Sequence, residues 1–484
     1  MTAHEPASHG PDMSAAADHS EPAGDTRPSL RRGSLGLIET IGQSVANIAP
    51  TGTPALTVAV IVGMAGVGSW LSFLIATLGM IVVAGNIATL ARRHPLAGSY
   101  FVYIGRTLGP LAGMIAGWSM IAAYLAAGVA SVIFGQIVLG NVLDEIGMAG
   151  LKPPGWLFNI VFVMLVWALA WRDVRISARI GVVIECLSLG TIIVTTAMVL
   201  IRQGRVIDPV QLDLAHIDRA GVVSALALAV FSFVGFESAA TLAGEARDPT
   251  RAVPRAIMLS AVLAGLFFVV VTYAMVLAVG DDPRILAEST SPFSEITRRA
   301  GLASAAAIVY VATLNSAVAA ALACVNAVSR LMFSMGRYEF IHRSMGAVHE
   351  RHQTPHIAIT AASLIILAAC LAIGGVAPLD AFGLTATFST FGFLVIYLLI
   401  SIVAPIDLYR AGAMRTRHVV LGAAGVMLMI FVIFGSLYPV PDFPYSLLPY
   451  LFAAYLLLGA LWYGILAGRA PNTLIALHND LEFS

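Results

Sequence analysis

The sequence predicts an all-α polytopic membrane protein with about twelve transmembrane helices. Hydrophobic residues form 58% of the chain and charged residues only 11%, and the mean hydropathy is +0.87. A soluble domain carries roughly 25% charged residues. The apolar residues fall in runs of about 20 separated by short loops, and a run of that length crosses the hydrocarbon core as a helix that satisfies its own backbone. Arginine is concentrated on alternate loops, as in a chain that crosses a membrane repeatedly.

The apolar runs give twelve predicted spans, each about one bilayer thick. They lie at residues 36–64, 67–90, 111–140, 155–171, 178–201, 220–243, 255–280, 301–335, 355–375, 380–404, 417–437 and 446–468. The run at 301–335 exceeds one bilayer thickness, so this helix is expected to tilt or protrude.

The basic residues predict the orientation of the chain. If the N-terminus is cytoplasmic, 20 of the 27 Lys and Arg residues fall on the inner side and 7 on the outer side. Inner loops of membrane proteins carry the excess of positive charge. Both termini are therefore predicted to be cytoplasmic, in a multi-pass protein of the cell membrane. One missed helix would scramble this alternation, so it also supports an even number of spans.

The two ends of the chain differ in composition from the spans. Residues 1–33 are polar and rich in Pro, Ala, Asp and His, which predicts a disordered cytoplasmic tail without a secretory signal. Residues 471–484 form the predicted C-terminal tail. Cys186, Cys324 and Cys370 lie inside predicted spans and have no metal-ligand spacing. Neither a disulfide framework nor a metal site is expected.

The first predicted span cannot be one ordinary helix. Pro50 and Pro54 each remove a backbone donor near its centre, and Gly52 between them adds freedom. Unpaired backbone at that depth is tolerated only where it is buried in protein or lines a wet cavity. A simple proline kink against a neighbouring helix is the alternative, but two Pro, two Thr, a Gly and an Asn in eight residues exceed what a kink needs.

The sixth predicted span is interrupted as well, around residues 231–238. Gly235 weakens the helix there, and Glu237 is an ionisable group well inside the span. Such a residue is costly in a bilayer and is a functional candidate, here for gating or coupling. The alternative is a structural carboxyl that bonds a neighbouring helix.

Spans one and six occupy matching places if helices 1–5 and 6–10 are two halves of opposite orientation. Interrupted segments at matching places in two halves indicate the binding site of a transporter. Half-helix N-termini attract anionic groups, and unwound carbonyls attract cations. A zwitterion fits this pair of poles, which predicts an amino acid or an amino-acid-like cargo.

The break in span six and the loop after it also carry a family resemblance. Residues 231–238 read FSFVGFES and residues 244–256 read GEARDPTRAVPRA. This order resembles the amino acid–polyamine–organocation (APC) superfamily, which has Gly-Phe-Glu, then Glu, Asn/Asp-Pro, a basic residue and Pro-Arg-Ala. Weaker matches are PLAGSY at 95–100 and VRISAR at 174–179.

The resemblance implies a LeuT-type fold of five plus five inverted helices with two extra helices. It places the ten-helix transport core at 34–404 and the two additional helices at 405–470. It further implies a secondary transporter that works by alternating access, a permease rather than an enzyme.

The resemblance also assigns substrate contacts in helix one. The family's Gly-Ser/Ala-Gly stretch, whose amides face the substrate carboxylate, falls on Pro50, Thr51 and Gly52. Thr51 and Gly52 are therefore assigned to the carboxylate, while the carbonyls of Asn47 and Ile48 are assigned to the ammonium group. Pro50 replaces a Gly and supplies no N–H, so an altered head group, a smaller acid or an amine stays open.

In helix six, the aromatic residue that caps the substrate falls on Phe231. Carbonyls near Ser232 and Val234 complete the implied ammonium site, and Gly235 belongs to the same break. In this fold helix three faces the site, so Tyr124 is a further candidate contact. Core packing with a satisfied hydroxyl is the alternative for Tyr124.

The coupling ion is predicted to be a proton. Many relatives carry a Lys in helix five that resembles a proton-responsive switch, but Ser188 stands there in this chain. Glu185 lies nearby in an apolar run, where burial disfavours its ionised form. An ion pair with Arg175 or Arg179 is the alternative for Glu185. A sodium site would instead use helix-one carbonyls and hydroxyls such as those of Thr313 and Ser316.

Other classes of function fit less well. An intramembrane enzyme would need a nucleophile with its base or a metal cluster at one depth, and the sequence has no such motif, nor a phosphate-binding loop for ATP. A membrane sensor would usually add an output domain. The predicted partners are thus a small amino acid or amine, a coupling proton and the lipid bilayer, without cofactor or nucleic acid. Uptake, exchange and homodimer formation stay open.

Overall fold

The computed structural model describes residues 33–94, 100–172, 174–280, 282–438 and 440–469, and their side chains except at 174–182 and 469. The predicted tails lie outside these residues, apart from Gly33. Most of the weaker 95–100 motif does too, as do the side chains of Arg175 and Arg179.

The described residues contain twelve helical spans, which we number α1 to α12. Two of them are interrupted. The helix α1 has an inner arm at Leu37–Ile48 and an outer arm at Val58–Ala65, and α6 runs over Arg219–Phe231 and continues as a 3-10 helix at Ser238–Glu245. The others are α2 (Ser69–Arg93), α3 (Pro110–Glu145), α4 (Gly155–Arg172), α5 (Val174–Gln203), α7 (Pro249–Val279), α8 (Ala303–Arg337), α9 (His356–Ala372), α10 (Pro378–Arg410), α11 (Thr416–Leu437) and α12 (Leu448–Arg469).

These helices confirm the all-α polytopic prediction. In the described part of the chain, nine helical stretches are long and apolar enough to cross a membrane. The first of them, Leu37–Arg93, contains two predicted spans, and the shorter apolar helices at Arg219–Phe231 and His356–Ala372 account for two more. Each predicted span therefore has a helical counterpart.

Short helices connect several spans. They lie at Tyr100–Leu108 before α3, at Pro209–Leu212 before α6, and at Arg284–Ala287 and Pro292–Arg299 between α7 and α8. Because the number of spans is even, both ends of the described chain reach the same side of the bundle. We call that side the terminal face and the other side the opposite face.

The packing order agrees with two intertwined halves of five helices. The most extensive contacts join α3 to α8 and to α10, and α2 to α7. The pairs α2–α7 and α3–α8 are each five helices apart in the chain. By contrast α11 and α12 pack on the rim, where only 22% and 11% of the residues in their most apolar stretches are buried. The centre of the bundle is thus left to α1, α3, α6, α8 and α10.

Candidate substrate site between two broken helices

The inner arm of α1 ends because of the residues that follow it. Ala49 adopts a left-handed conformation, and its N–H returns to the carbonyls of Val45 and Ala46. Pro50 has no N–H to continue the helix. The Gly52 N–H donates to the Ala49 carbonyl at 2.8 Å. Gly52 was assigned to a substrate carboxylate, but here its amide proton closes the turn itself.

The chain then resumes as a π-helical turn at Thr53–Thr57 before the outer arm of α1. Pro54 stands in the first turn of this segment, where proline is tolerated because that N–H would lack a helical partner anyway. The first span is therefore two helices joined by an irregular turn, so backbone groups are freed midway through it.

The break in α6 arises from tight turns and a glycine rather than from proline. The helix ends at Phe231, and tight turns follow, in which Val234 N–H donates to the Phe231 carbonyl and Phe236 N–H to the Phe233 carbonyl. Gly235 has φ +100°, a conformation that side chains with a Cβ rarely adopt. The sixth span is consequently interrupted where the sequence predicted it.

The two breaks meet. A Cβ built at Gly235 would lie 2.8 Å from Asn47 Cγ and 2.9 Å from the Asn47 backbone carbon. Beyond the breaks, Ser238 Oγ donates to the Gln43 carbonyl at 3.2 Å, and Ala239 N–H donates to Ser44 Oγ at 3.1 Å. The absence of a side chain at 235 is thus what lets the broken segments touch.

G235A is expected to weaken this contact strongly. An alanine at 235 must adopt a strained positive φ, and its methyl group must displace Asn47. Together these effects cost roughly 1–3 kcal/mol or more. We expect a lower melting temperature and loss of substrate binding, measured on purified protein. Gly190→Ala on α5 is the control, because a Cβ there meets open space. Unchanged binding in G235A would show that the breaks need not touch.

A cavity of about 70 Å³ lies where the two breaks meet. Six of the predicted contacts line it: Asn47, Ile48, Gly52, Phe231, Ser232 and Val234. Pro50, Thr51, Gly235 and Tyr124 lie outside its lining. The sequence did not single out the other walls, which come from α1, α3 and α10: Ala49, Thr53, Thr57, Ala127, Ala130, Ser131, Phe134 and Phe382.

Two buried polar groups of α1 are unused around this cavity. Asn47 Oδ1 accepts a hydrogen bond from Cys324 Sγ at 2.9 Å on α8, whereas Asn47 Nδ2 is buried and has no partner among the described residues. The Thr51 hydroxyl is likewise buried and unpartnered there. An unmade buried hydrogen bond is costly. Asn47 lines the cavity, so its amide is available to an acceptor on a ligand.

Glu237 lies just past the α6 break, on its terminal-face side. It is 0% exposed. Tyr124 Oη on α3 donates to Oε1 at 2.9 Å, and Tyr397 Oη on α10 donates to Oε2 at 2.6 Å. Tyr100 Oη donates to the Glu237 backbone carbonyl at 2.8 Å. The carboxyl therefore joins three helices beneath the cavity, and Tyr124 contacts Glu237.

Tyr100 and Tyr397 are not among the residues predicted from sequence. The signal that selected Tyr124, a phenol in an apolar helix, is present at Tyr397 too. What the sequence lacks is any indication that both phenols point at one carboxyl. Because a buried carboxyl needs donors to be tolerated, the presence of Glu237 alone implied such partners without identifying them.

Glu185 on α5 is a second buried carboxyl, 1% exposed. Its Oε2 accepts from Ser316 Oγ on α8 at 2.6 Å, while Oε1 has no partner in the described structure. Nearby, Ser188 Oγ donates to the Ala312 carbonyl at 2.6 Å. Glu185 therefore lies between α5 and α8, away from the cavity lining.

The terminal face is closed below Glu237 by a buried ion pair. Arg330 Nε on α8 lies 2.6 Å from Glu245 Oε1 at the end of α6, and each side chain is 2% exposed. Arg330 Nη1 also donates to the Asn326 carbonyl. Beside it the segment just before α1 pairs with the residue that follows α6, through a bridge between Leu35 and Ala246. The first and sixth spans are thus fastened together on this side.

Toward the opposite face, a larger cavity of about 510 Å³ begins where the small one ends. The two share Thr57, Phe231 and Phe382 in their walls. Asp380 stands in the outer cavity. Phe231 and Phe382 therefore lie between the central site and the larger cavity, whereas the terminal face is held together by the buried ion pair of Arg330 and Glu245.

Known proteins resemble this chain over most of its length. The amino acid permease family matches residues 40–467. The chain is 27% identical over 307 residues to the low-affinity putrescine importer PlaP of Escherichia coli, covering 62% of this chain and 66% of that importer. It is 27% identical over 340 residues to the branched-chain amino acid permease BcaP of Bacillus subtilis, covering 67% of this chain and 70% of that permease.

An uncharacterised transporter of Mycobacterium bovis is 29% identical over 378 residues, covering 77% of this chain and 80% of the relative. The family match spans most of the chain and includes both broken helices and the cavity between them. The chain belongs to the amino acid permease family of the APC superfamily and is a membrane transporter of an amino acid or amine, not an enzyme.

Proposed function

We propose that this permease is a proton-coupled secondary transporter that carries a small amino acid with an uncharged side chain. It works by alternating access in the cytoplasmic membrane, with both termini in the cytoplasm. The observation that carries the proposal is the cavity between the two helix breaks, together with the buried Glu237 carboxyl just past the break in α6.

The broken helices supply opposite poles for a zwitterionic head group. The inner arm of α1 and the first part of α6 present their carbonyl ends at the cavity, through Ile48 and Phe231, and these ends favour an ammonium group. The resumed segment of α1 begins at Thr53, and its N-terminal end favours a carboxylate. The unpartnered Asn47 Nδ2 adds a donor for that carboxylate.

The walls favour a short, uncharged side chain. Ala127 and Ala130 are small, but Phe134, Phe231 and Phe382 limit the space to about 70 Å³. The lining residues that the structure describes include no Asp, Glu, Lys or Arg. A diamine would bring a second ammonium group without a counter-charge into this site, which is costly. The cavity therefore supports an amino acid over a putrescine-like cargo, although one relative is named for each.

Two buried carboxyls support a proton as the coupling ion. Glu237 and Glu185 are both enclosed and hydrogen-bonded by hydroxyl groups, so a change of protonation would alter contacts between helices. The two hydroxyls that a sodium site would use donate within the structure, Thr313 Oγ to the Val309 carbonyl of its own helix and Ser316 Oγ to Glu185. Because donation leaves the oxygen lone pairs free, the choice between proton and sodium is made by the uptake experiment.

Uptake into proteoliposomes tests the function. The full chain is reconstituted, and uptake of labelled glycine, alanine, leucine and putrescine is measured with an acid-outside pH gradient. We expect alanine or glycine to accumulate, a protonophore to abolish accumulation, and leucine and putrescine to be poorer substrates.

Further arms separate the alternatives. A sodium gradient without a pH gradient is expected to drive no accumulation, and uptake is expected without internal substrate. Sodium-driven uptake would overturn proton coupling, and strict dependence on internal substrate would indicate an exchanger. Absence of transport of every amino acid and amine would overturn the transporter assignment at this site.

A further inference from the structure

A separate polar cavity of about 330 Å³ lies at the opposite face, among α3, α4, α9 and α10. It shares no lining residue with the central cavity or with the larger cavity beside it. Its walls include Gln136, Trp156, Asn159 and Gly374. The transport site therefore leaves this cavity unexplained.

Asn159 gives the cavity an unused acceptor. Asn159 is 4% exposed, and its Oδ1 is buried with no hydrogen-bond partner within the described chain. A buried amide oxygen left without a donor costs about 1–3 kcal/mol. Most such groups in native proteins are paired with protein, water or a ligand. A ligand that donates a hydrogen bond would remove this cost.

The end of α9 makes the same cavity favourable to positive charge. The last turn of α9 and its cap line the cavity through Cys370, Leu371, Ile373 and Gly374. A Cβ at Gly374 would lie 3.2 Å from the Leu371 carbonyl oxygen and 3.6 Å from that of Cys370. The Leu371 oxygen accepts the Gly374 N–H at 3.2 Å, and the absence of a Cβ at Gly374 leaves room for a further donor beside it, at the end of the helix that carries partial negative charge.

The remaining walls add to this preference. Trp156 is 59% exposed at the start of α4, in the position of an interfacial aromatic residue, and an indole face attracts cations. Among the described residues, no Lys or Arg lines the cavity to repel a cation, and no Asp or Glu lines it to form an ion pair. The site therefore suits a compact cation that also donates hydrogen bonds.

We propose that this separate polar cavity, lined by Asn159 and the end of α9, binds a primary ammonium group. This group is distinct from the transported substrate. Asn159 Oδ1 and the α9 carbonyl end accept its N–H donors, and Trp156 covers one side. The group comes from the ethanolamine headgroup of a phospholipid or from a soluble alkylamine, since both carry the same ammonium chemistry. The inference does not depend on which substrate the central site carries.

Binding of ethanolammonium chloride to the purified full chain, followed by calorimetry, tests the proposal. We expect choline to bind at least tenfold more weakly, because a quaternary ammonium has no N–H to donate to Asn159. N159L and G374A are each expected to weaken ethanolammonium binding at least tenfold, the first by removing the acceptor and the second by covering the α9 carbonyls. Asn141→Leu, an amide on α3 outside the lining, is the matched control.

Two further arms complete the design. Phe231→Ala, in the central site, is expected to leave this binding unchanged, so the two sites are read separately. Native mass spectrometry with ethanolamine, choline and glycerol phospholipids identifies the source: preferential retention of the ethanolamine lipid that N159L abolishes indicates a lipid headgroup. Equal binding of choline, unchanged binding in both folded variants, or absence of ammonium binding in both arms would overturn the proposal.

Discussion

E237Q is expected to reduce pH-driven uptake by about tenfold or more while the protein still folds. Gln has nearly the volume of Glu, and its amide oxygen and nitrogen can replace the hydrogen bonds with Tyr124 and Tyr397, where each hydroxyl both donates and accepts. What Gln cannot do is gain or lose a proton. If protonation of Glu237 loosens its contacts with α3 and α10, the variant holds one state and the cycle slows.

The measurement is the initial rate of uptake in proteoliposomes as a function of external pH, with the melting temperature of purified protein as the check on folding. Glu185→Gln is the matched comparison, because Glu185 is also a buried carboxyl bonded by a hydroxyl. If Glu237 carries the coupling proton, E237Q flattens the pH dependence. A flat profile in Glu185→Gln with a normal one in E237Q would move the coupling role to Glu185.

Single removals of the phenols refine this expectation. Y124F and Y397F each delete one donor to the Glu237 carboxyl and leave the ring in place. A carboxylate that loses a donor is less stable in its charged form. Each variant is therefore expected to move the pH profile of uptake toward higher pH, which a purely structural role of the phenols would not do.

The spans and their breaks could be predicted from sequence because both depend on local chemistry. Hydropathy alone identifies a helix of bilayer length. Pro50 interrupts α1 by removing a backbone donor just after the turn at Ala49, and Pro54 stands in the first turn of the segment that follows. Gly235 interrupts α6 by adopting a positive φ. None of these effects requires knowledge of distant residues.

The walls of the site depend on contacts between distant residues instead. Tyr124 and Tyr397 lie 113 and 160 positions from Glu237 in the chain, and Cys324 lies 277 positions from Asn47. In a membrane helix the lipid-facing and protein-facing sides are both apolar, so hydropathy does not reveal which side faces the centre. Phe134 and Phe382 therefore looked like any other phenylalanine in a span.

The hydrogen bond made by the Gly52 N–H could not be predicted from the family resemblance. A resemblance identifies the segment that is broken, and with it the expectation that its amides face the substrate. The actual turn depends on how the chain passes Pro50, and here the Gly52 N–H bonds the Ala49 carbonyl. Pro50 itself offers no N–H, and the Asn47 amide nitrogen and the Thr51 hydroxyl close to it are buried without a partner among the described residues.

R330M is expected to destabilise the protein by about 3–5 kcal/mol, because it leaves the Glu245 carboxylate buried without its partner. Met fills similar space but brings no charge. The double variant R330M/E245Q removes both charges, and we expect it to recover at least half of the loss. Melting temperatures of the purified variants measure this, and a double variant as unstable as R330M would mean that packing rather than charge sets the cost.

The same pair has a second role if the terminal face must open. Glu245 lies at the end of α6, beside the bridge that fastens Leu35 to Ala246, so the ion pair holds α8 against the joined ends of α1 and α6. Removing both charges is expected to make opening easier at modest cost in stability. A cysteine placed at Leu35, which is 0% exposed, should then react faster with a maleimide in R330M/E245Q than in the parent L35C protein. Equal labelling rates, with the fold intact in both, would mean that the ion pair holds the fold together and does not control opening of the terminal face.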